Sequence, residues 1–439
     1  MKPPTISVII PAHNAAGTID ACLGALAASS IRPHECLVID DGSTDETAAI
    51  ARRHGVRLIR TECNRGAAST RNLGAASATG DILVFIDADV CVHRETLERI
   101  RRRFQEDASL AALFGCYDDS PHAPEFLSQY RNLMHCYVHR RGRREASTFW
   151  TGCGAIRRRV FELCGGFGAS LPGMEDVELG YRLRKSGRRI LLDPEIQVQH
   201  RKQWRLWNML KTDLLRRGLP WVELIWRHRL LPNDLNLGAA HRISLAASLF
   251  LLAAVAWGAA ADPPRTAVAL GGFFFALLGA YWSEFLGSGK GAIGAASFTV
   301  SLVAGAWGLE MPLLATTTAA LFVAWAALRG LRRRPAATAA LGALTAAGAS
   351  SAAAAFAAVA PPAAAVAGAL LSGIVILNAG FYRFLTRRRG LLFAVAAVPF
   401  QLLYHLNNAL CLVLGTGRYL TRSARPQPPV LAQRQSSSD

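Results

Sequence analysis

Two aspartates one residue apart, Asp87 and Asp89, close the apolar run Ile82-Leu83-Val84-Phe85-Ile86. Like charges held that close raise each other's pKa unless a cation neutralises them. A hard divalent ion such as Mg2+ or Mn2+ takes carboxylate oxygens and bridges phosphates, so the pair suits a metal site on a diphosphate. The plainer reading is a cap carboxylate beside a solvated one. A second acidic turn, Asp40-Asp41, follows "ECLVID" and can hold a base or a ribose through hydrogen bonds. A third pair, Glu175-Asp176, opens "DVELGYRLRKSG". It reads either as the acidic first turn of a helix, favoured by the helix dipole, or as a catalytic carboxylate with its support.

The elements that must position these groups are legible in the first 90 residues. Unalternated runs of Ile, Val, Leu and Phe suit strands covered on both faces. "TISVIIPAHN" reads as a first strand ending at Pro11, "ECLVIDD" as a second, "VRLIRTE" as a third and 82–86 as a fourth. Helical patterns separate them, with N-cap chemistry at Thr44 and Asp45 before the second. The pattern β-α-β-α-β-α-β is a doubly wound parallel sheet. In such sheets ligands bind beyond the carboxyl ends of the strands, where both acidic turns fall. The chain has no G-x-G-x-x-G, which excludes a dinucleotide fingerprint. "TGCGAI", residues 151–156, is glycine-rich, either to let backbone approach a ligand or as a strand with bulge glycines.

The ordered segments "SVIIPAHN", "VIDDGSTDET", "NRGAASTRNLGAA", "GDILVFIDADV", "TGCGAIRRRVFELCGGF" and "GMEDVELGYRL" resemble those of family 2 glycosyltransferases with a GT-A fold. The resemblance covers roughly residues 5–200. It implies a GT-A, Rossmann-like, doubly wound catalytic domain over residues 1–200. It places Pro11, Asn14, Asp40, Asp41, Arg71 and Asp87 at the nucleotide. Asp87 and Asp89 would hold a divalent metal, Mg2+ or Mn2+, with His200 either a third ligand or a satisfied structural histidine ahead of a basic helix. Asp176 falls at the catalytic base with Glu175 supporting it, and Gly152, Gly154 and Trp204 at the sugar and acceptor. The chemistry is self-consistent. A sugar nucleotide leaves as a diphosphate whose growing charge a metal offsets. An acceptor hydroxyl attacks from the opposite face and gives its proton to a carboxylate, for roughly 10²–10⁴-fold in rate. One displacement inverts the anomeric centre without a carboxylate nucleophile. Processive synthases of the family carry Gln-x-x-Arg-Trp after the acidic pair. "QHRKQWRLW", residues 199–207, departs from it, so chain polymerisation is not expected.

The second half is of another kind. Residues 243–261, 266–283, 291–309, 311–328, 335–382 and 390–417 carry no Asp, Glu, Lys or Arg. A spanning helix needs about 20 apolar residues, so residues 239–417 read as an all-α transmembrane domain of six or seven helices. The last run, with Pro399, His405, Asn407 and Asn408, is expected to be re-entrant. Arginines at 227, 229, 242, 332–334 and 387–389 put the catalytic domain on the cytoplasmic side of a multi-pass inner membrane, with no signal peptide ahead of it. Residues 201–238, with Trp204, Trp207, Trp221 and Trp226 among basic residues, read as amphipathic interfacial helices broken at Pro220. Residues 418–439 read as a basic, Ser-rich disordered tail. The net charge is +18, with 15 Lys/Arg against 4 Asp/Glu after residue 238. That places the excess beside anionic lipid rather than nucleic acid. The nine cysteines form no C-x-x-C pair and are expected to be reduced.

The expected partners are a nucleotide-sugar donor, membrane lipids and a lipid-linked acceptor (polyprenyl phosphate, a lipid-linked sugar or a glycolipid), in cell-envelope glycan or glycolipid synthesis. A processive polysaccharide synthase, and a transporter or flippase with a degenerate transferase head, are the alternatives.

Overall fold

The computed structural model describes residues 2–168, 173–229, 234–261 and 361–423. Its N-terminal domain is built on eight strands: β1 (Ile6–Ala12), β2 (Glu35–Asp40), β3 (Arg57–Arg60), β4 (Ile82–Ile86), β5 (Val90–Val92), β6 (Leu110–Tyr117), β7 (Cys153–Arg157) and β8 (Arg189–His200). They form one sheet in the order β3-β2-β1-β4-β7-β6-β8-β5. The first four run parallel, with helices α1 (Ile19–Ala27), α2 (Thr47–Arg53) and α3 (Ala67–Ser77) between them. These are the strands and helices expected from the apolar runs. Beyond β4 the sheet is mixed. β7 lies antiparallel between β4 and β6, and β5 pairs antiparallel with the far end of β8. The domain is thus a GT-A-type Rossmann-like sheet rather than the uniformly parallel one that the first 90 residues suggest.

Burial on both faces explains the unalternated strands. Val8, Ile10, Val84 and Ile86 enter one core cluster, and Ile9, Leu37, Phe85 and Phe114 the other. The helices α4 (Thr96–Glu106), α5 (Phe126–Arg141), α6 (Arg158–Leu163) and α7 (Glu175–Lys185) complete the covering layers. A Cβ on Gly74 would stand 2.5 Å from Ile9 Cγ2. This close approach of α3 sets Arg71, one turn earlier on the same face, beneath the end of β4.

After β8, α8 (Leu206–Lys211), a π-helical segment (Thr212–Gly218) and α9 (Leu219–His228) follow in sequence. The residues at the joins, Lys211 and Leu219, keep right-handed helical angles. Pro220 therefore does not break this region. The missing proline N–H falls where a π turn already reorganises the ladder. Trp207 is 76% exposed, as an interfacial face requires, but Trp204 is only 4% exposed and packs in a core. The residue at the N-cap of α2 is Glu46, without a side-chain cap bond, rather than Thr44 or Asp45; Asp45 accepts from Thr47 N at 3.0 Å.

Then come α10 (Ala239–Ala261), α11 (Pro361–Leu377), α12 (Ala379–Arg389) and α13 (Leu391–Ser423). Among the described residues Ala239–Trp257 and Leu391–Thr421 are long and apolar enough to cross a membrane. α11 and α12, bent by 64° at Asn378, make up to three if counted as one span. The final run is one helix containing Pro399, not a re-entrant loop. The remaining spans of the expected six or seven, and the tail after 423, lie outside the described residues. α5 joins the two halves. Its Phe126, Tyr130, Leu133 and Met134 share a core with Phe381, Leu385, Phe393, Phe400 and Tyr404.

Candidate active site

The register Phe85↔Gly154 and Ile86↔Cys153 brings the chain around Thr151 to the carboxyl end of β4, beside Asp87. α3 delivers Arg71 to the same place and α7 delivers Glu175 and Asp176. Arg71 is buried. Its Nη2 donates to Asp87 Oδ1 at 2.7 Å and its Nη1 to Glu175 Oε1 at 2.7 Å. Burial would lower its pKa, but Asp87, Glu175 and Asp176 around it raise it. Glu175 also accepts from Gly173 N at 2.7 Å, which closes the loop before α7. Glu175 is thus a positioning group for Arg71 and the α7 start.

Asp176 is the less neutralised member of the pair. Its Oδ2 accepts from Thr151 N and Oγ1, both at 3.2 Å, and its Oδ1 from Val177 N at 2.8 Å. Burial and then the Glu175 charge push its pKa up to about 6, against the opposing pull of Arg71. A carboxylate with that value takes a proton near neutral pH more readily than an ordinary aspartate. Gly180 permits the geometry: a Cβ there would stand 2.3 Å from Phe149 N, so only glycine lets α7 pack against 148–149.

Asp89 lies at the turn between β4 and β5. Its Oδ2 stands 3.5 Å from His200 Nε2, the two brought together by the Val90↔His200 pairing. Burial works to raise its pKa, but His200 and Lys202 hold it below its ordinary value. His200 stacks on Tyr117 at 4.3 Å, and its Nδ1 lies 2.6 Å from Asn132 Oδ1. With Asn132 Oδ1 accepting from Nδ1, Nε2 faces the carboxylate, donating to it as imidazolium or offering its lone pair to a cation as neutral imidazole. Such an outer-sphere acceptor is what fixes a ligating imidazole. Among the described residues no group of three or more His, Cys, Asp or Glu side chains is gathered as a metal cage. Asp87 spends one oxygen on Arg71. The donor set therefore fits an ion held by few protein atoms and completed by phosphate oxygens and water.

The remaining expected residues fall nearby with more local roles. Asp41 is buried and already accepts from Thr61 Oγ1, Arg65 N and Gly66 N at 2.9–3.1 Å. A carboxylate offers about four lone pairs, so a base contact would use the rest. Asp40 caps the turn through Ser43 N at 3.0 Å and lies 3.1 Å from Arg60 Nε. Pro11 pairs with Ile39 within the sheet. Asn14, in the left-handed region at φ 50°, accepts from Thr44 N at 2.9 Å. Gly152 and Gly154 do not open a cavity: a Cβ at either would meet Trp150, at 2.2 and 2.3 Å, so both serve packing here.

Three participants were not expected from the sequence: Asn132, Thr151 and the cations around Trp204. Lys202 Nζ lies 4.7 Å from the Trp204 ring, Arg131 5.8 Å and Arg217 6.0 Å. Arg131 pairs with Asp213 in the buried interior. Arg217 has a neutral partner, His135 Nε2 at 3.0 Å. Burial and Arg131 lower the Arg217 pKa. Among the described residues, Lys202, Arg216 and Arg217 have no carboxylate in ion-pair reach. Only the run of basic residues between 201 and 217 signalled them in the sequence.

Residues 7–164 match the family model described as glycosyl transferase family 2. The chain is 29% identical over 226 residues to a validoxylamine A glucosyltransferase of Streptomyces hygroscopicus subsp. jinggangensis, covering 42% of this chain and 52% of that protein. It is 39% identical over 142 residues to the 4,4'-diaponeurosporenoate glycosyltransferase of Staphylococcus haemolyticus, covering 30% and 36%. Among solved structures it is similar to a mannosyltransferase from Pyrobaculum calidifontis in complex with GDP-Man and Mn2+. The identity is 22% and the TM-score 0.47, over 69% of this chain and 86% of that one. The chain spans about half the length of the first curated relatives it matches.

Proposed function

We propose that the chain, whose residues 7–164 match the glycosyl transferase family 2 model, transfers a sugar, with inversion, from a cytoplasmic nucleotide-sugar to a lipid-borne acceptor at the inner leaflet. The observation that carries this reading is the Arg71 bridge, which ties the Asp87 end of β4 to the helix bearing Asp176. It gathers the diphosphate side and the base side of a displacement into one crevice.

Each residue has a role in this reading. Asp89 and His200, with the second oxygen of Asp87, would hold Mg2+ or Mn2+, which when bound offsets charge on the departing diphosphate. Arg71 fixes Asp87 and lies beside the same phosphates. Asp176 accepts the proton of the attacking hydroxyl, and Thr151 aims it. The docking of α5 on α12 and α13 supports an acceptor delivered from the membrane, because the element carrying Asn132 and Arg131 is the one packed against those helices.

A second reading concerns the acceptor's attacking group. The cations Lys202 and Arg217 beside Trp204, whose buried Nε1 has no partner among the described residues, favour a phosphate-bearing acceptor. An ionised phosphate attacks without a base, so Asp176 would then matter less to the rate. The experiment is transfer of label from a panel of nucleotide sugars into lipid extracts, run with wild type and Asp176→Asn. Label in the organic phase that Asp176→Asn abolishes supports a hydroxyl acceptor. Label that the variant retains supports the phosphate. Label that never leaves the aqueous phase refutes the lipid acceptor.

A further inference from the structure

A separate basic cavity of about 450 Å³ lies between α5 and α12, walled by Arg140 and Arg141 on one side and Arg383, Arg387 and Arg388 on the other. Its volume is within the roughly 300–1,000 Å³ of small-ligand sites. Asn132 and Arg140 stand at opposite parts of α5, about 12 Å apart along the axis at 1.5 Å per residue. The cavity is therefore not the transferase site.

Its charge is unbalanced. Asp119 is the one carboxylate that reaches these arginines among the described residues, 3.1 Å from Arg140 and 2.8 Å from Arg388. Among the described residues Arg141, Arg383 and Arg387 have no carboxylate in ion-pair reach. Between the two walls lies an aromatic wedge, with Tyr137 and Phe384 ring centroids 5.5 Å apart and the Arg141 guanidinium 5.5 Å from the Tyr137 ring. Gly380 keeps the walls close: a Cβ there would stand 2.5 Å from Tyr137 Oη. Arg389 fastens α12 to the domain through Gln129 Oε1 at 2.8 Å.

The position of α12 selects the ligand. It follows the apolar α11 at a 64° bend, so α12 turns aside at the end of a hydrophobic stretch. That is the depth of lipid headgroups, and basic pockets there bind anionic ones. We propose that the α5–α12 cavity is a binding site for the phosphate of an anionic phospholipid headgroup, with Arg141, Arg383 and Arg387 as its free cations. The site rests on the membrane reading of α11 and α13, not on the transferase reading. It would lock the catalytic domain to the bilayer in one orientation.

The test uses the full chain in non-ionic detergent, with thermal unfolding followed during titration with short-chain phosphatidylglycerol, phosphatidylcholine or inorganic phosphate. Phosphatidylglycerol is expected to raise the unfolding temperature saturably, and phosphatidylcholine not to. Arg383→Gln/Arg387→Gln should raise the half-saturating concentration at least about tenfold. Arg52→Gln/Arg53→Gln, an equal charge loss on α2, should leave it unchanged. Arg141→Gln, from the opposite wall, gives the same reading if the double variant folds poorly. Equal responses to the two lipids, or an unchanged half-saturation in the cavity variants, would overturn the site. So would an equal loss with the α2 variant, which would mean diffuse attraction. Saturation by inorganic phosphate at the same concentrations as the lipid would overturn the lipid assignment in favour of a soluble phosphate.

Discussion

His200 Nε2 faces Asp89 Oδ2 at 3.5 Å, across the pairing of β5 with β8. The imidazole is oriented by Asn132 on its other nitrogen, and on the proposed reading the pair shares a cation. Asp89→Ala is expected to abolish Mn2+-dependent nucleotide binding. Asn132→Leu, which touches no ligand, should weaken metal affinity about 10–100-fold. Calorimetric titration of Mn2+ in the presence of nucleoside diphosphate checks both. Wild-type affinity in Asp89→Ala would remove the metal from this site.

The elevated Asp176 pKa gives the pH dependence its sign. On the proposed reading Asp176 works ionised, and its pKa is pushed up to about 6. For a hydroxyl acceptor kcat/KM should be flat above that pH and fall about tenfold per unit below it. Asp176→Asn should lower kcat by at least about 10²-fold and leave donor affinity nearly unchanged. A profile flat through pH 5 would exclude Asp176 as the base.

Arg71 holds together groups from three elements. Arg71→Met leaves Asp87 and the buried Glu175 uncompensated. The expected cost is about 3 kcal/mol, or roughly 6–12 °C in the unfolding temperature of a domain this size. Differential scanning of wild type and variant measures it. An unchanged transition would mean that the bridge does not bind α3 to α7.

Arg131 and Asp213 form a buried pair that fastens α5 to the π-helical segment. Asp213→Ala should destabilise by about 3–5 kcal/mol, because it leaves a buried guanidinium alone. Arg131→Met/Asp213→Leu should recover most of that loss. A double-mutant cycle reads the coupling, and strict additivity would show that the pair does not act as a unit.

The legible part of this molecule was local. Runs such as Ile82–Ile86 announce a strand because both faces are buried, and carboxylates at their ends announce a site. The invisible part was long-range. β8 contains Asp193-Pro194 and pairs with two strands, with β6 at shifted register, so no short pattern marks it. α5 buries Gln129, Arg131 and Asn132 against Arg389, Asp213 and His200, partners far along the chain. A polar helix with such partners looks solvated when read alone. Pro399 suggested a re-entrant run, yet a helix packed by neighbours tolerates one proline. The glycines at 152 and 154 read as an approach to a ligand or as bulge glycines of a strand, and the group that comes close to both is Trp150.

On the proposed reading the Asp87–Asp89 and Asp176 ends of one crevice move a sugar onto a membrane lipid. The most direct test incubates the full chain in native membranes with Mn2+ and radiolabelled nucleotide sugars, then counts label in the organic extract. The expected result is label from one donor, lost with chelator and with Asp89→Ala. Organic-phase label equal in wild type and Asp89→Ala, or none from any donor while the nucleotide still binds, would contradict it.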